Sequence, residues 1–126
     1  MNKNTSVEIA RSVQKNIDWN TPENKQFVSA ILSLESSKET EAFLRDLMTE
    51  GEITEFGKRL EAARLLSADM QYNFITQKTG LSSATVARIS KWLKGSLGGY
   101  RLVLSRLSNG HHSNPAKLGK GLSLSR

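Results

Sequence analysis

The chain has no cysteine among its 126 residues. That excludes a disulfide frame and a thiolate metal site, and it fits a reducing cytoplasm. Aromatic residues make up 6% and hydrophobic residues 37%. A single copy therefore has little material for a core, and pairing of two copies would add to it. No apolar run approaches the length of a membrane span. The opening stretch MNKNTSVEIARSVQKN lacks the continuous apolar centre of a signal peptide. Catalytic groupings are missing as well. His111 and His112 have no third metal ligand nearby, and the acids sit on helix faces and caps. The glycine-rich GSLGG lacks the lysine and hydroxyl order of a phosphate loop. The expectation is no enzyme, no cofactor and no metal.

Carboxylates are absent from the second half altogether. Residues 1–69 hold nine Lys/Arg against twelve Asp/Glu, a net of −3; residues 70–126 hold nine Lys/Arg and no acid, a net of +9. A surface cleared of carboxylates suits a polyphosphate, because each neutralised phosphate releases counterions. A basic face for an acidic lipid or protein is the competing account.

What opens that acid-free half is MQYNFITQKTGLSSATVARISKWL, Met70–Leu93. It reads as two short helices, about Asp69–Lys78 and Ser82–Leu93. Gly80 stands at the join, where a Cβ would make a left-handed backbone costly. Ser82 is expected to cap the second helix. Phe74, Ile75, Leu81, Val86, Ile89 and Leu93 form the expected core, with three- and four-residue steps along the second helix. Its other face carries Ser83, Ala84, Ala87, Arg88 and Lys91. Small residues at the leading end allow close approach to a major groove, and donors and cations serve bases and phosphates. A plain helical hairpin would show the same pattern.

The rest of the chain reads as short helices with no strand, an all-α protein. Residues 1–22 form a polar extension in which Ile9, Val13 and Ile17 allow a short amphipathic helix. Thr21-Pro22-Glu23 starts a helix to about Leu34, with Phe27, Ile31 and Leu34 on one side. Ser36 with Glu39 makes a capping box for Ser37–Met48, which carries Phe43, Leu44 and Leu47. Thr49 with Glu52 makes another, opening a helix to about Leu66 with Ile53, Phe56, Leu60, Ala63 and Leu66 inward. Ser67 is expected to cap the helix-turn-helix. GSLGG follows as a flexible joint, and Tyr100–Leu107 forms a last short helix. Residues 108–126 read as a flexible basic tail.

With that helix order, three blocks resemble the Trp repressor superfamily: LMTEGEITEFGKRLEAARLL (Leu47–Leu66), TGLSSATVARISKWLK (Thr79–Lys94) and GGYRLVLSRL (Gly98–Leu107). The resemblance implies a DNA-binding domain over residues 23–107, with its helix-turn-helix at about 69–93. It implies an intertwined all-helical homodimer whose two heads each place Ser82–Lys91 in a major groove. The operator would be pseudo-palindromic, with half-sites about 34 Å apart. A bacterial cytoplasmic, nucleoid-associated repressor is the implied setting. The tryptophan-responsive member of the family holds the indole between two arginines, with a threonine from the other subunit. The matching positions are Arg59, Arg88 and Thr49. That pocket also needs small residues where Ile89 and Trp92 stand, and both would occupy ligand volume. The resemblance thus implies a vestigial effector pocket and no response to tryptophan. The Trp92 indole would stack on a guanidinium, or else be an ordinary core or rim aromatic.

Roles follow for the reading head. Ser83, Ala84 and Ala87 are expected at base edges, Lys91 and Lys94 at phosphates, and Thr85 at backbone or phosphate. Arg88 is divided between pocket and DNA. Asn73, Thr76 and Lys78 would reach the flanking phosphates, and Ser82 belongs to the same surface. The expected partner is double-stranded DNA. A helical protein-interaction module and a non-specific nucleoid binder are the alternatives, and a role at a replication origin is a further one, since initiators share such heads.

Overall fold

The computed structural model describes residues 16–113, the last three as backbone alone. The expected N-terminal helix at Ile9 and Val13 and most of the basic tail lie outside what is described, as do the side chains of the histidine pair. Among the described residues all regular structure is helical, as the all-α reading required. The helices are α1 (Pro22–Leu32), α2 (Ser37–Leu47), α3 (Glu50–Ser67), α4 (Tyr72–Thr79), α5 (Ser83–Lys94) and α6 (Gly99–Ser113). They fall into two compact units that divide after Leu34.

In the first unit, α1 begins where the sequence places it. Thr21 is extended and its Oγ1 accepts the Asn24 N–H at 3.1 Å, with Pro22 in the first turn. Asn24 Nδ2 donates to the Asp18 carbonyl at 2.9 Å, tying the preceding segment to the helix start. Phe27, Val28, Ile31 and Leu32 all remain exposed.

In the second unit, α3 is the spine. Ser36 caps α2 through the Glu39 N–H. The Glu39 carboxylate accepts from the Glu35 N–H, however, so the expected reciprocal box on Ser36 does not close. Thr49 and Glu52 do form one: Thr49 Oγ1 accepts the Glu52 N–H at 3.1 Å and Glu52 Oε1 accepts the Thr49 N–H at 2.8 Å. The methyls of Ala62 and Ala63 are fully buried, and small side chains there let α4 and α5 both close onto α3. The core joins them with Leu65, Ile75, Leu81, Val86 and Ile89, and Leu66, Tyr100 and Leu104 pack around it. Ile75 and Val86 are its largest sealed side chains, each stabilising by about 1.5–3 kcal/mol.

Four sequence expectations change here. The last helix runs on to Ser113 rather than ending at Leu107, so the first residues of the expected flexible tail are helical. Phe74 and Phe56 are 45% and 51% exposed rather than core. Ser67 does not cap α4; it is the last residue of α3, and α4 starts from Gln71 without a side-chain cap. The α3 terminus is instead closed by Asp69 in the left-handed region, φ 61°. The Met70 N–H returns to the Leu65 carbonyl and the Asp69 N–H to that of Leu66. That bond pair is the Schellman stop, with aspartate in the place usually given to glycine.

Candidate nucleic-acid interface

The turn between α4 and α5 is built from three adjacent residues. Gly80 ends α4 at φ 76°, with its N–H on the Thr76 carbonyl. Thr79 is buried; its Oγ1 donates to the Ile75 carbonyl at 2.7 Å and accepts the Leu81 N–H at 3.2 Å. Leu81 then plugs into the core. Ser82 is extended and caps α5: its Oγ accepts the Thr85 N–H at 3.1 Å and shares a 2.9 Å bond with Thr85 Oγ1.

Helix α5 divides cleanly by face. Val86, Ile89, Ser90 and Leu93 are buried, the stripe expected of a helix laid on a core. Ser83, Ala84, Ala87, Arg88, Lys91 and Lys94 are exposed with Ser82, while Thr85 is half-buried beneath them. The leading end of the free face is thus small and its trailing end basic. On α4, Asn73 and Lys78 are exposed. Thr76 is half-buried and its hydroxyl donates to the Asn73 carbonyl at 3.0 Å. Lys78 also lies close enough to Glu61 to help hold that carboxyl below its ordinary range, behind the larger effect of the Arg64 hydrogen bond.

Beside this face a cavity of about 550 Å³ opens among α3, α5 and α6. Arg59, Arg88, Ile89, Trp92, Tyr100 and Val103 are on its walls. Ile89, 3% exposed and shared with the core, and Trp92, 54% exposed, both contribute side-chain bulk to the lining. The stack of Trp92 on a guanidinium is not formed. The cation–π contact among the described residues is Arg59 over the Phe56 ring, 5.4 Å from its centroid. Arg59 Nε also bonds Glu55 Oε2 at 3.2 Å, so its guanidinium is held by its own helix. Thr49 is not on these walls; it caps α3.

Sequence reasoning missed two residues. Thr79 carries the turn, and a threonine next to the turn glycine was the available signal. Arg101 bonds the far end of α5 (Leu93 and Gly95 carbonyls), and no local pattern announces it.

A family model described as Trp repressor protein matches residues 23–108. The chain belongs to the Trp repressor family. YerC of Bacillus subtilis (strain 168) is 34% identical over 92 residues, spanning 73% of this chain and 88% of YerC. A TrpR-like protein of Eubacterium eligens superposes with a TM-score of 0.68 at 36% identity, covering 71% of this chain and 93% of that one. A candidate Trp repressor of Staphylococcus aureus gives the same TM-score at 28% identity, with 74% and 96% covered. The Trp repressor family is one of DNA-binding regulators, and α4, the Gly80 turn and α5 fall inside the matched region.

Proposed function

We propose that the chain is a sequence-specific DNA-binding transcriptional regulator, acting as a homodimer that sets α5 of each copy in a major groove. One observation carries this reading. The free face of α5 begins with Ser83, Ala84 and Ala87, continues with Arg88 and Lys91, and belongs to a stretch of sequence that lacks acids from Met70 onward. Ser83, Ala84 and Ala87 would approach base edges. Lys91 and Lys94 would hold phosphates, with Thr85, Asn73, Thr76 and Lys78 along the flanks. Arg88 stands between groove and cavity and has the reach for either.

Exposed apolar side chains support pairing. Leu102, Val103 and Leu107 on α6, and Phe27 and Ile31 on α1, are surfaces that a second copy would cover. A two-fold pair calls for a pseudo-palindromic site with half-sites about one turn, roughly 34 Å, apart. We also propose that DNA binding needs no L-tryptophan. The bulk of Trp92 stands on the cavity wall, and Arg59 is already engaged by Glu55 and Phe56.

Selection of bound fragments from random DNA, followed by gel shift in rising salt, tests the reading. One preferred two-fold sequence and a steep salt slope are expected without added L-tryptophan. A slope with no preferred sequence would mean a non-specific nucleoid binder. No slope at all would favour a protein-interaction module. Micromolar saturable heat on titration with L-tryptophan would reverse the effector claim.

A further inference from the structure

The glycine-rich turn after α5, read from sequence as a flexible joint, is held by one side chain. Arg101 lies in the first turn of α6 and folds back across it. Its Nη1 donates to the Leu93 carbonyl at 2.5 Å and to the Gly95 carbonyl at 2.8 Å. These carbonyls lie at the C-terminal end of α5, where the helix leaves acceptors unpaired and the dipole is negative. Nη1 has two hydrogens, and both are used. Gly98 is built to admit the guanidinium. Its φ is 76°, and a Cβ there would come within 3.1 Å of Arg101 Nη2. From Met70 onward the sequence has no acid, so no nearby carboxylate in sequence competes for Arg101.

We propose that Arg101 is a positioning residue that fixes the tilt of α5 against α6, and so aims the reading face. The inference rests on the DNA-binding reading above. The leverage is large. Ser83 and Lys94 are separated by roughly 16 Å along the helix axis at 1.5 Å per residue. A tilt of about 10° at the Lys94 end moves Ser83 by roughly 3 Å, one hydrogen-bond length. The clamp thus sits at the end of α5 far from the bases and acts on the end near them. An arginine placed on a phosphate would be the other use of this side chain, and it leaves a different trace in salt.

The test uses the full chain with Arg101→Met and Arg101→Lys. Arg101→Met should weaken binding to the preferred DNA at least tenfold at 25 °C, with the slope of log affinity against log salt unchanged. Amide exchange over Lys91–Gly95 should accelerate at least tenfold, while the Thr85–Val86 amides at the start of α5 keep their protection. Arg101→Lys keeps the charge without the planar fork and should restore no more than half of the lost affinity on a logarithmic scale. A slope reduced by about one would mark Arg101 as a phosphate contact and overturn the proposal. Affinity within twofold of wild type, unchanged exchange, or full rescue by lysine would also overturn it. If Arg101→Met does not fold, the lysine variant decides on the same measures. If the wild-type chain prefers no sequence, the DNA reading falls, and exchange at Lys91–Gly95 still judges the clamp.

Discussion

Thr79 bonds across the turn to Leu81: the threonine Oγ1 accepts the leucine N–H at 3.2 Å while donating to the Ile75 carbonyl at 2.7 Å. One buried hydroxyl thus serves the last turn of α4 and the first residue beyond Gly80. Thr79→Val keeps the shape but strands a buried N–H, at a cost of about 1–3 kcal/mol. Thr79→Ser keeps both bonds and should lose less. Urea unfolding of the two variants checks the order.

Two of the three left-handed residues among those described, Gly80 and Asp69, predict opposite signs. Nothing lies within 4 Å of a Cβ on Gly80, so Gly80→Ala is resisted by the backbone alone and should destabilise by about 1 kcal/mol. Asp69 already bears that strain at φ 61°, and its charge lies at the negative end of α3. Asp69→Gly should therefore stabilise, by roughly 0.5–1 kcal/mol. Thermal melts at neutral pH distinguish gain from loss.

On the reading face, Lys91→Ala should weaken binding about equally for all sequences and lower the salt slope by about one. Ala84→Glu places a carboxylate where the groove is approached, and should reduce specific affinity by roughly 100-fold or more. Both are read by gel shift at several salt concentrations. A variant as tight as wild type at Ala84 would remove α5 from the groove.

Acid should act through Glu61. The Arg64 guanidinium, bonded through Nε and Nη2 at 2.8 Å each, holds its carboxyl below the ordinary value of 4.5. A carboxyl with its folded pKa depressed stabilises the fold above its unfolded pKa. That contribution is lost as pH falls through the lowered value. Glu61→Gln should lower Tm slightly at pH 7, by ~2 °C for so exposed a pair, and the gap should close as pH drops below 4.5.

Much of this was legible in the residues because local chemistry decides it. Thr21, Ser36, Thr49 and Ser82 are all observed N-caps, since a short polar side chain before an apolar run has few other uses. The stripe Val86, Ile89, Leu93 is buried as spaced. Contacts between distant parts were less legible. Phe74 and Phe56 fit the period of a core, yet the small Ala62 and Ala63 draw the helices together elsewhere. Ser67 has the chemistry of a cap, but the chain first reverses through Asp69. For the candidate site, the exposed set on α5 could be read from periodicity. The hold of Glu55 and Phe56 on Arg59 could not, because a pair of neighbours on one helix face does not say which way a guanidinium turns. Arg101 meets carbonyls six and eight residues back, a separation that no helical period encodes.

The missing carboxylates have a consequence for the head itself. Across α4, the turn and α5, four cations (Lys78, Arg88, Lys91 and Lys94) share a stretch with no acid of its own, so the head works against its own repulsion. A phosphate backbone laid along α5 would act as its absent counter-ion. Duplex and moderate salt should each raise the head's melting point, while added salt loosens the complex: one ion atmosphere, pulling on folding and on grip in opposite directions.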